Sequence, residues 1–201
     1  MTKEETIQAA VADAYTFEQY IARIELLHTE EKATSFPDKK SYYDYSVLGL
    51  ARMQRIYKKV ELNSDITQAI TAIQSPQHWV LISESWCGDA SQTVPVIARI
   101  ADQNPNISLH IVLRDSNPEL MEYYKTNGST SIPILAILDQ NWSELAVWGP
   151  RPAVAQQKVM DYKALPEAER PAYEELSKEL QKWYNADKGL STQNELATLL
   201  T

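Results

Sequence analysis

The feature that most constrains the fold of this 201-residue chain is a change of pattern after Pro76. The run WVLIS is short, continuous and apolar, which is typical of a strand covered on both faces. Two similar runs follow, SLHIVL and PILAIL, each after a segment of helical character. Strands separated by helices imply right-handed parallel crossovers in one sheet. A fourth strand, ELAVW, follows a turn at DQN and could pair antiparallel with the third.

Helices are predicted on both sides of these strands. Residues 88–104 are predicted to be a helix, and NPELMEYYKTNG a capped helix that ends at Gly128. After Pro152 the helical pattern resumes, pauses near LPEAERP and continues to about Lys188. In the first 75 residues, apolar side chains recur at helical spacing in three segments, the last of them capped by Asn63 or Ser64.

Composition and charge exclude several classes of protein. The formal net charge of -8 and pI near 4.9 disfavour nucleic acid or an anionic membrane as a partner, because both require a basic surface. No apolar run approaches the roughly 18 residues of a membrane span. The stretch MTKEETIQAA has acids where a secretory signal would carry positive charge, so we expect no export. With one cysteine, no intramolecular disulfide can form. We therefore expect a cytoplasmic monomer.

The single cysteine lies in ESWCGDASQTVP, directly after the first buried strand. A cysteine at the first turn of a helix faces unpaired N–H groups and the positive end of the helix dipole, and both favour the thiolate. Thiolate is the nucleophile of disulfide exchange, so Cys87 is the candidate catalytic residue. The alternative is an inert, half-buried cysteine at a helix start.

The segment from about Trp79 to Lys163 resembles a thioredoxin domain, because five landmarks occur in the family's order. They are Trp86-Cys87-Gly88 at the start of a W-C-G-P-C motif, Pro95, the stretch RDSNPELMEYY, Ser131-Ile132-Pro133 before an apolar strand, and Gly149 after the last strand. The resemblance implies an α/β thioredoxin fold with a central mixed sheet of about four strands flanked by helices. An N-terminal helical extension is added to it.

The pattern along the chain predicts three parts. We expect a helical extension packed on the core at residues 1–75, a thioredoxin-like domain at 76–188 and a C-terminal helical tail at 189–201. The resemblance covers only the middle part, where it implies a cis Pro133 that faces the Cys87 sulfur, with the Ile132 backbone offered to an extended substrate. Plain trans geometry is the alternative for Pro133. The expected substrate groove comprises Trp86, Gly88, Asp89, Ala90, Ile132, Pro133, Gly149 and Arg151.

Three positions depart from the thioredoxin pattern. Ala90 stands where the resolving cysteine belongs, so a mixed disulfide at Cys87 would need an external thiol for release. Asp89 replaces a proline; it suits the first turn of a helix but opposes thiolate formation at Cys87. Leu81 occupies the position of the family's buried acid. Glu84 has the opposite strand parity, so we interpret it as an ordinary strand-end acid.

Arg151 is the candidate cation of the site, because it should follow Gly149 at the edge of the groove. It could hold a substrate carboxylate or support the Cys87 thiolate, or it could be a surface arginine in a proline-pinned turn. Arg114 at the end of the second strand is a weaker candidate. One cysteine and three scattered histidines cannot form a closed zinc site, so no metal or other cofactor is expected.

The sequence thus predicts a thioredoxin-like protein that uses Cys87 as a lone nucleophile in thiol–disulfide exchange. The expected partner is a low-molecular-weight thiol or a disulfide-bearing protein. A non-catalytic module that retains the peptide groove is the main alternative, and a peroxide sensor that forms sulfenic acid is a third.

Overall fold

A four-stranded mixed sheet lies at the centre of the computed structural model, which describes all of residues 1–201. The strands are β1 (Gln77–Ser83), β2 (Ile107–Leu113), β3 (Ile134–Asp139) and β4 (Glu144–Trp148), in the spatial order β2-β1-β3-β4. β1 pairs in parallel with β2 and antiparallel with β3, and β3 pairs antiparallel with β4. The predicted α/β class, with a mixed sheet of four strands, is confirmed.

Nine α-helices surround the sheet. In chain order they are α1 (Lys3–Val11), α2 (Phe17–His28), α3 (Tyr43–Lys59), α4 (Ser64–Thr71), α5 (Ala90–Ala101), α6 (Pro118–Glu122), α7 (Ala153–Ala164), α8 (Tyr173–Asp187) and α9 (Leu190–Leu199). None of them is both long and apolar enough to cross a membrane.

Strand β1 is apolar along its length because both of its faces are covered. Trp79 and Leu81 point into the larger core, while Val80 and Ile82 point into the second core on the other face. All four side chains are completely buried. Alternate residues of a strand point to opposite faces, so a strand buried on both must be apolar at every position.

The N-terminal helices complete both of these cores. Ile7 of α1 packs in the core that contains Val80, whereas Tyr20 of α2 and Met53 of α3 pack in the core that contains Trp79. The helical character predicted for the first 75 residues is therefore confirmed. Division of the chain into parts at residues 75 and 188 stays a prediction.

Three details of the predicted elements are wrong. Helix α5 begins at Ala90, two residues later than predicted. Helix α6 ends at Glu122 because the chain then makes a tight turn, in which Asn127 and Gly128 both have positive φ. A parallel crossover joins β1 to β2 through α5, but β3 runs antiparallel to β1.

Helix α8 packs beside α7 in a small separate core. Leu176, Leu180 and Tyr184 are buried there with residues of α7, while Trp183 is half-buried. Lys188 and Gly189 then adopt left-handed backbone conformations, which end α8 and turn the chain into α9. Helix α9 packs on α4 and α5.

Helix α3 lies directly against the loop that follows β1. A Cβ atom at Gly49 would be 2.5 Å from the backbone oxygen of Ser85, so only glycine allows this approach. Ser85 is two residues before Cys87. The helical extension is therefore in contact with the segment that carries the cysteine.

We predict that Gly49→Ala destabilises the protein, although alanine normally favours a helix. The added methyl group must push α3 away from Ser85, at a cost of about 1–3 kcal/mol in the free energy of unfolding. Urea unfolding measures this difference. Leu48→Ala, on the exposed side of the same helix, is the control and should have little effect. A stabilised Gly49→Ala variant would contradict the described contact.

Candidate active site

Antiparallel pairing of β1 with β3 brings Cys87 to Pro133. Ile82 near the end of β1 lies opposite Ile134 at the start of β3. The chain before Ile134 and the chain after Ser83 therefore meet at one edge of the sheet. The Cys87 Sγ atom is 3.4 Å from the Ile132 carbonyl oxygen and donates a hydrogen bond to it. The Ile132–Pro133 bond is cis, so the predicted geometry of this pair is confirmed.

Gly149 lies against the same proline. It follows β4, whose last residue Trp148 pairs with Leu135 of β3. Gly149 has a φ of +119°, and a Cβ atom there would be 2.4 Å from the Pro133 carbonyl oxygen. Both the backbone angle and the close contact require glycine at this position.

Trp86 is held between an aromatic ring and a cation. The Tyr42 ring stacks on it at 4.2 Å between centroids, and the Arg114 guanidinium lies 4.7 Å from the Trp86 ring centroid. Arg114 also forms an ion pair with Asp115 at 2.6 Å. The indole Nε1 of Trp86 is the one fully enclosed side-chain nitrogen or oxygen without a hydrogen-bond partner. Such groups are rare in native proteins, and this one belongs to the residue before the candidate nucleophile.

The loop after Cys87 is fixed by the C-terminal helix α8. The Gly88 carbonyl accepts hydrogen bonds from Ser91 Oγ (2.8 Å) and from Gln181 Nε2 of α8 (3.2 Å). Gln92 of α5 in turn donates to Gln181 Oε1 at 2.7 Å. Ala90 is completely buried in the larger core. Helix α8 is thus part of the wall of the site.

Asp89 is bound by two side chains at once. Arg151 contacts Asp89 Oδ2 through Nη2 (2.6 Å) and Nε (3.0 Å), and the Tyr184 hydroxyl donates to Asp89 Oδ1 at 2.8 Å. Arg151 also donates to Gln156. The carboxylate that Arg151 binds therefore belongs to Asp89 of the same chain. Hydrogen bonds between charged groups, such as these, are strong.

Burial decides the protonation state of Cys87. The pKa of the Cys87 thiol is raised to about 12, mainly by burial and secondly by the negative charge of Asp89. The backbone N–H groups of Ala90 and Asp89 and the charge of Arg151 lower the pKa of Cys87 but do not outweigh these two effects. The helix start favours the thiolate, as expected, but desolvation of the sulfur outweighs it.

Glu84 is completely buried, so its interpretation as an ordinary strand-end acid is wrong. The Asp115 backbone N–H donates to Glu84 Oε1 at 2.9 Å, and the Thr34 hydroxyl donates to Oε2. Burial raises the pKa of Glu84 to about 7, although these two hydrogen bonds oppose the rise. β1 ends at Ser83, so the alternation of side chains between the two faces of a strand does not extend to Glu84.

A chain of hydroxyl groups joins the extension to the same loop. Ser85 Oγ accepts hydrogen bonds from Ser46 Oγ (2.7 Å) and from the Thr34 backbone N–H (3.2 Å). The Ser46 hydroxyl also lies 2.8 Å from Nε2 of His28. Residues of the helical extension thus hold the backbone between β1 and Cys87.

The sequence did not identify Thr34, Ser46, Gln181 or Tyr184 as residues of the site. Each lies far along the chain from the cysteine motif, and polar residues on helices carry no local signal of a tertiary partner. Gly49 offered the best signal, because glycine within a helix suggests a close backbone approach. No group of three or more histidine, cysteine, aspartate or glutamate side chains could hold a metal ion.

Together, the sheet order, the cis proline beside the cysteine and the glycine after β4 define a protein of the thioredoxin class. A family model described as thioredoxin matches residues 36–165, which is more than half of the chain. The chain therefore belongs to the thioredoxin family. The match includes α3 but ends before α8, so the Gln181 and Tyr184 contacts lie outside it.

Two solved structures are similar to this chain, and the first supports the fold. The crystal structure of an HIV epitope-scaffold is similar over 96% of each chain, with a TM-score of 0.60 and 13% sequence identity. A protein of unknown function from Pseudomonas aeruginosa matches 71% of this chain and 86% of its own, with a TM-score of 0.49 and 18% identity. No curated protein sequence matches this chain.

The raised pKa of Glu84 predicts a pH-dependent stability. An acid whose pKa is higher in the folded state binds more protons when folded, so the free energy of unfolding falls as pH rises from about 4.5 to 7. Glu84→Gln keeps the shape of the side chain and removes its titration. Between pH 5 and 8 the native protein should lose about 2–3 kcal/mol more than this variant in urea unfolding. Equal losses would contradict the buried, titrating Glu84.

Asp89→Asn should lower the pKa of Cys87. The substitution removes a negative charge that opposes the thiolate and leaves the charge of Arg151 unopposed. At pH 8.5, alkylation of Cys87 by iodoacetamide should accelerate at least about threefold, because the rate follows the thiolate fraction. Asp139→Asn, at the opposite end of the sheet, is the control. An unchanged rate in Asp89→Asn would show that this charge does not act on the sulfur.

Proposed function

We propose that this protein carries out thiol–disulfide exchange with Cys87 as the only reacting thiol. The observation that carries the proposal is the 3.4 Å contact between Cys87 Sγ and the carbonyl of Ile132, directly before the cis Pro133. Cys87 as a whole residue is partly exposed although its sulfur is desolvated, so we propose that a disulfide approaches the sulfur from the groove. The proposed groove is formed by Trp86, Gly88, Asp89, Ala90, Ile132, Pro133, Gly149 and Arg151.

The exchange balances without a second thiol in the chain. The Cys87 thiolate attacks one sulfur of a disulfide, a new bond forms between the two sulfurs, and the other sulfur leaves as a thiolate that takes up a proton. Since Ala90 offers no resolving thiol, the mixed disulfide persists until an external thiol attacks it. The proposed partner is a low-molecular-weight thiol in its disulfide form, or a disulfide-bearing protein.

The raised pKa of Cys87 makes this exchange slow at neutral pH. Only a small fraction of the thiol is ionised, and this fraction grows about tenfold for each unit of pH. The exchange rate should therefore rise steeply with pH, without a plateau below pH 10. We propose no proton acceptor for Cys87, because Glu84 is engaged by Thr34 and Asp115.

A peptide-binding module is the second candidate, and the same raised pKa favours it. For this function, Cys87 is a half-buried thiol that donates a hydrogen bond to the Ile132 carbonyl, and the groove binds an extended peptide without a reaction. The unpaired indole N–H of Trp86 is a hydrogen-bond donor that a peptide carbonyl could satisfy after a small movement of the ring.

Mass spectrometry of the intact protein tests the exchange reaction. The reduced protein, incubated with glutathione disulfide at pH 7 and pH 9, should form a single glutathione adduct, about 100-fold faster at pH 9 because the thiolate fraction follows pH. Removal of free disulfide should leave the adduct intact, and added dithiothreitol should release it. Cys87→Ser is the matched control and should form none. A native protein that forms no adduct at pH 9 would support the binding module.

The same experiment gains a second arm with Ala90→Cys. Residue 90 is the first residue of α5 and the third after Cys87, a separation across which a disulfide can close where the two Cβ atoms approach each other. The variant should form a reversible disulfide and reduce insulin slowly, whereas the native protein should not. If the variant oxidises but reduces nothing, the groove does not accept disulfide substrates. Binding would then be its function.

A further inference from the structure

A cleft of about 840 Å³ lies behind the loop of Cys87. It is formed by the end of α3, the chain between α3 and α4, and the junction of α8 with α9. Gln92 and Thr192 contribute to its lining, and their side chains are only 5% and 1% exposed. The volume is in the range of pockets that bind small molecules.

Two buried polar side chains face this cleft with unused hydrogen-bonding capacity. Gln92 donates through Nε2 to Gln181, but its Oε1 atom accepts no hydrogen bond from the protein. The Thr192 hydroxyl forms no hydrogen bond with any protein group. Neither Gln92 Oε1 nor the Thr192 hydroxyl is fully enclosed by the protein. Buried polar groups are almost always paired. An acceptor and a hydroxyl that reach the cleft can therefore contact a polar ligand.

The rim of the cleft carries unpaired positive charge. Arg55, Lys59 and Lys188 line it, and none of them forms a salt bridge, in a chain whose net charge is -8. Two acids, Glu61 and Asp187, also line the cleft. Asp187 accepts hydrogen bonds from the backbone N–H and the hydroxyl of Ser191. Two lysines and an arginine suit a ligand with oxyanion groups.

We propose that this cleft binds a small organic molecule with carboxylate or phosphate groups, and that its occupancy changes the reactivity of Cys87. Two hydrogen-bonded paths join the cleft to the cysteine loop. Gln92 contacts Gln181, which donates to the Gly88 carbonyl. Tyr184 also lines the cleft, and its hydroxyl holds Asp89.

A ligand in the cleft can act on the cysteine through these contacts. If it accepts from Lys188 and draws the end of α8 toward α3, both Gln181 and Tyr184 move with that helix. Any displacement of Asp89 changes the negative charge that Cys87 experiences. The binding claim does not depend on the proposed exchange reaction, because alkylation of Cys87 reports its reactivity without any disulfide.

The test uses citrate and inorganic pyrophosphate as probes at constant ionic strength. Each is titrated into the full-length protein, and binding is followed by the side-chain amide NMR signals of Gln92 and Gln193, both of which line the cleft. We expect saturable shifts with at least one probe, and the probe that binds identifies carboxylate or phosphate as the preferred group. Absence of saturation with both probes would overturn the proposal.

Charge variants distinguish this cleft from general attraction of anions. Lys59→Ala and Arg55→Ala should each weaken binding of the probe at least about fivefold, since each removes a direct charged contact. Lys58→Ala, the adjacent lysine outside the cleft, should leave affinity unchanged. Equal weakening in all three variants would contradict the site.

Saturation with the bound probe should change the rate of Cys87 alkylation by iodoacetamide at least about twofold. The same probe should leave the rate unchanged in Lys59→Ala at a concentration that saturates the native protein. Binding without any change in the alkylation rate would contradict the proposed coupling, while the binding site itself would stand.

Discussion

Burial of β1 on both faces is the constraint on which the rest of this structure depends. A strand covered by two cores must end where the cores end, and the chain that leaves it at Ser83 carries Cys87 to the edge of the sheet. β2 ends beside it, and β3 starts beside it because it runs antiparallel. Arg114, Pro133 and Gly149 therefore converge on one place, although they are distant in sequence.

Much of this arrangement could be predicted from the sequence, because it follows from local patterns. Continuous apolar runs identified the strands, and the motifs at Cys87 and Pro133 indicated how they meet. The contacts made by the helices could not be predicted in this way. Tyr184 on Asp89 and Thr34 on Glu84 depend on how α8 and the extension pack, and no local signal marks either contact. The burial of Glu84 was not predicted, because the alternation of side chains along β1 does not continue past Ser83.

Helices outside the strand–helix core do more than cover it. The extension fixes the backbone before Cys87 through Gly49, Ser46 and Thr34. Helix α8 fixes the backbone after it through Gln181 and Tyr184. The cysteine loop is thus held from both sides, by α3 within the family match and by α8 outside it.

Two opposing effects meet at the Cys87 sulfur. The amide groups at the start of α5 and the charge of Arg151 favour a thiolate, while burial and Asp89 favour the neutral thiol and prevail. The most direct test is NMR of the protein labelled with ¹³C at the cysteine Cβ, titrated from pH 6 to pH 10. Cys87 should show no ionisation across this range. An inflection at or below the free-cysteine value of about 8.5 would contradict it.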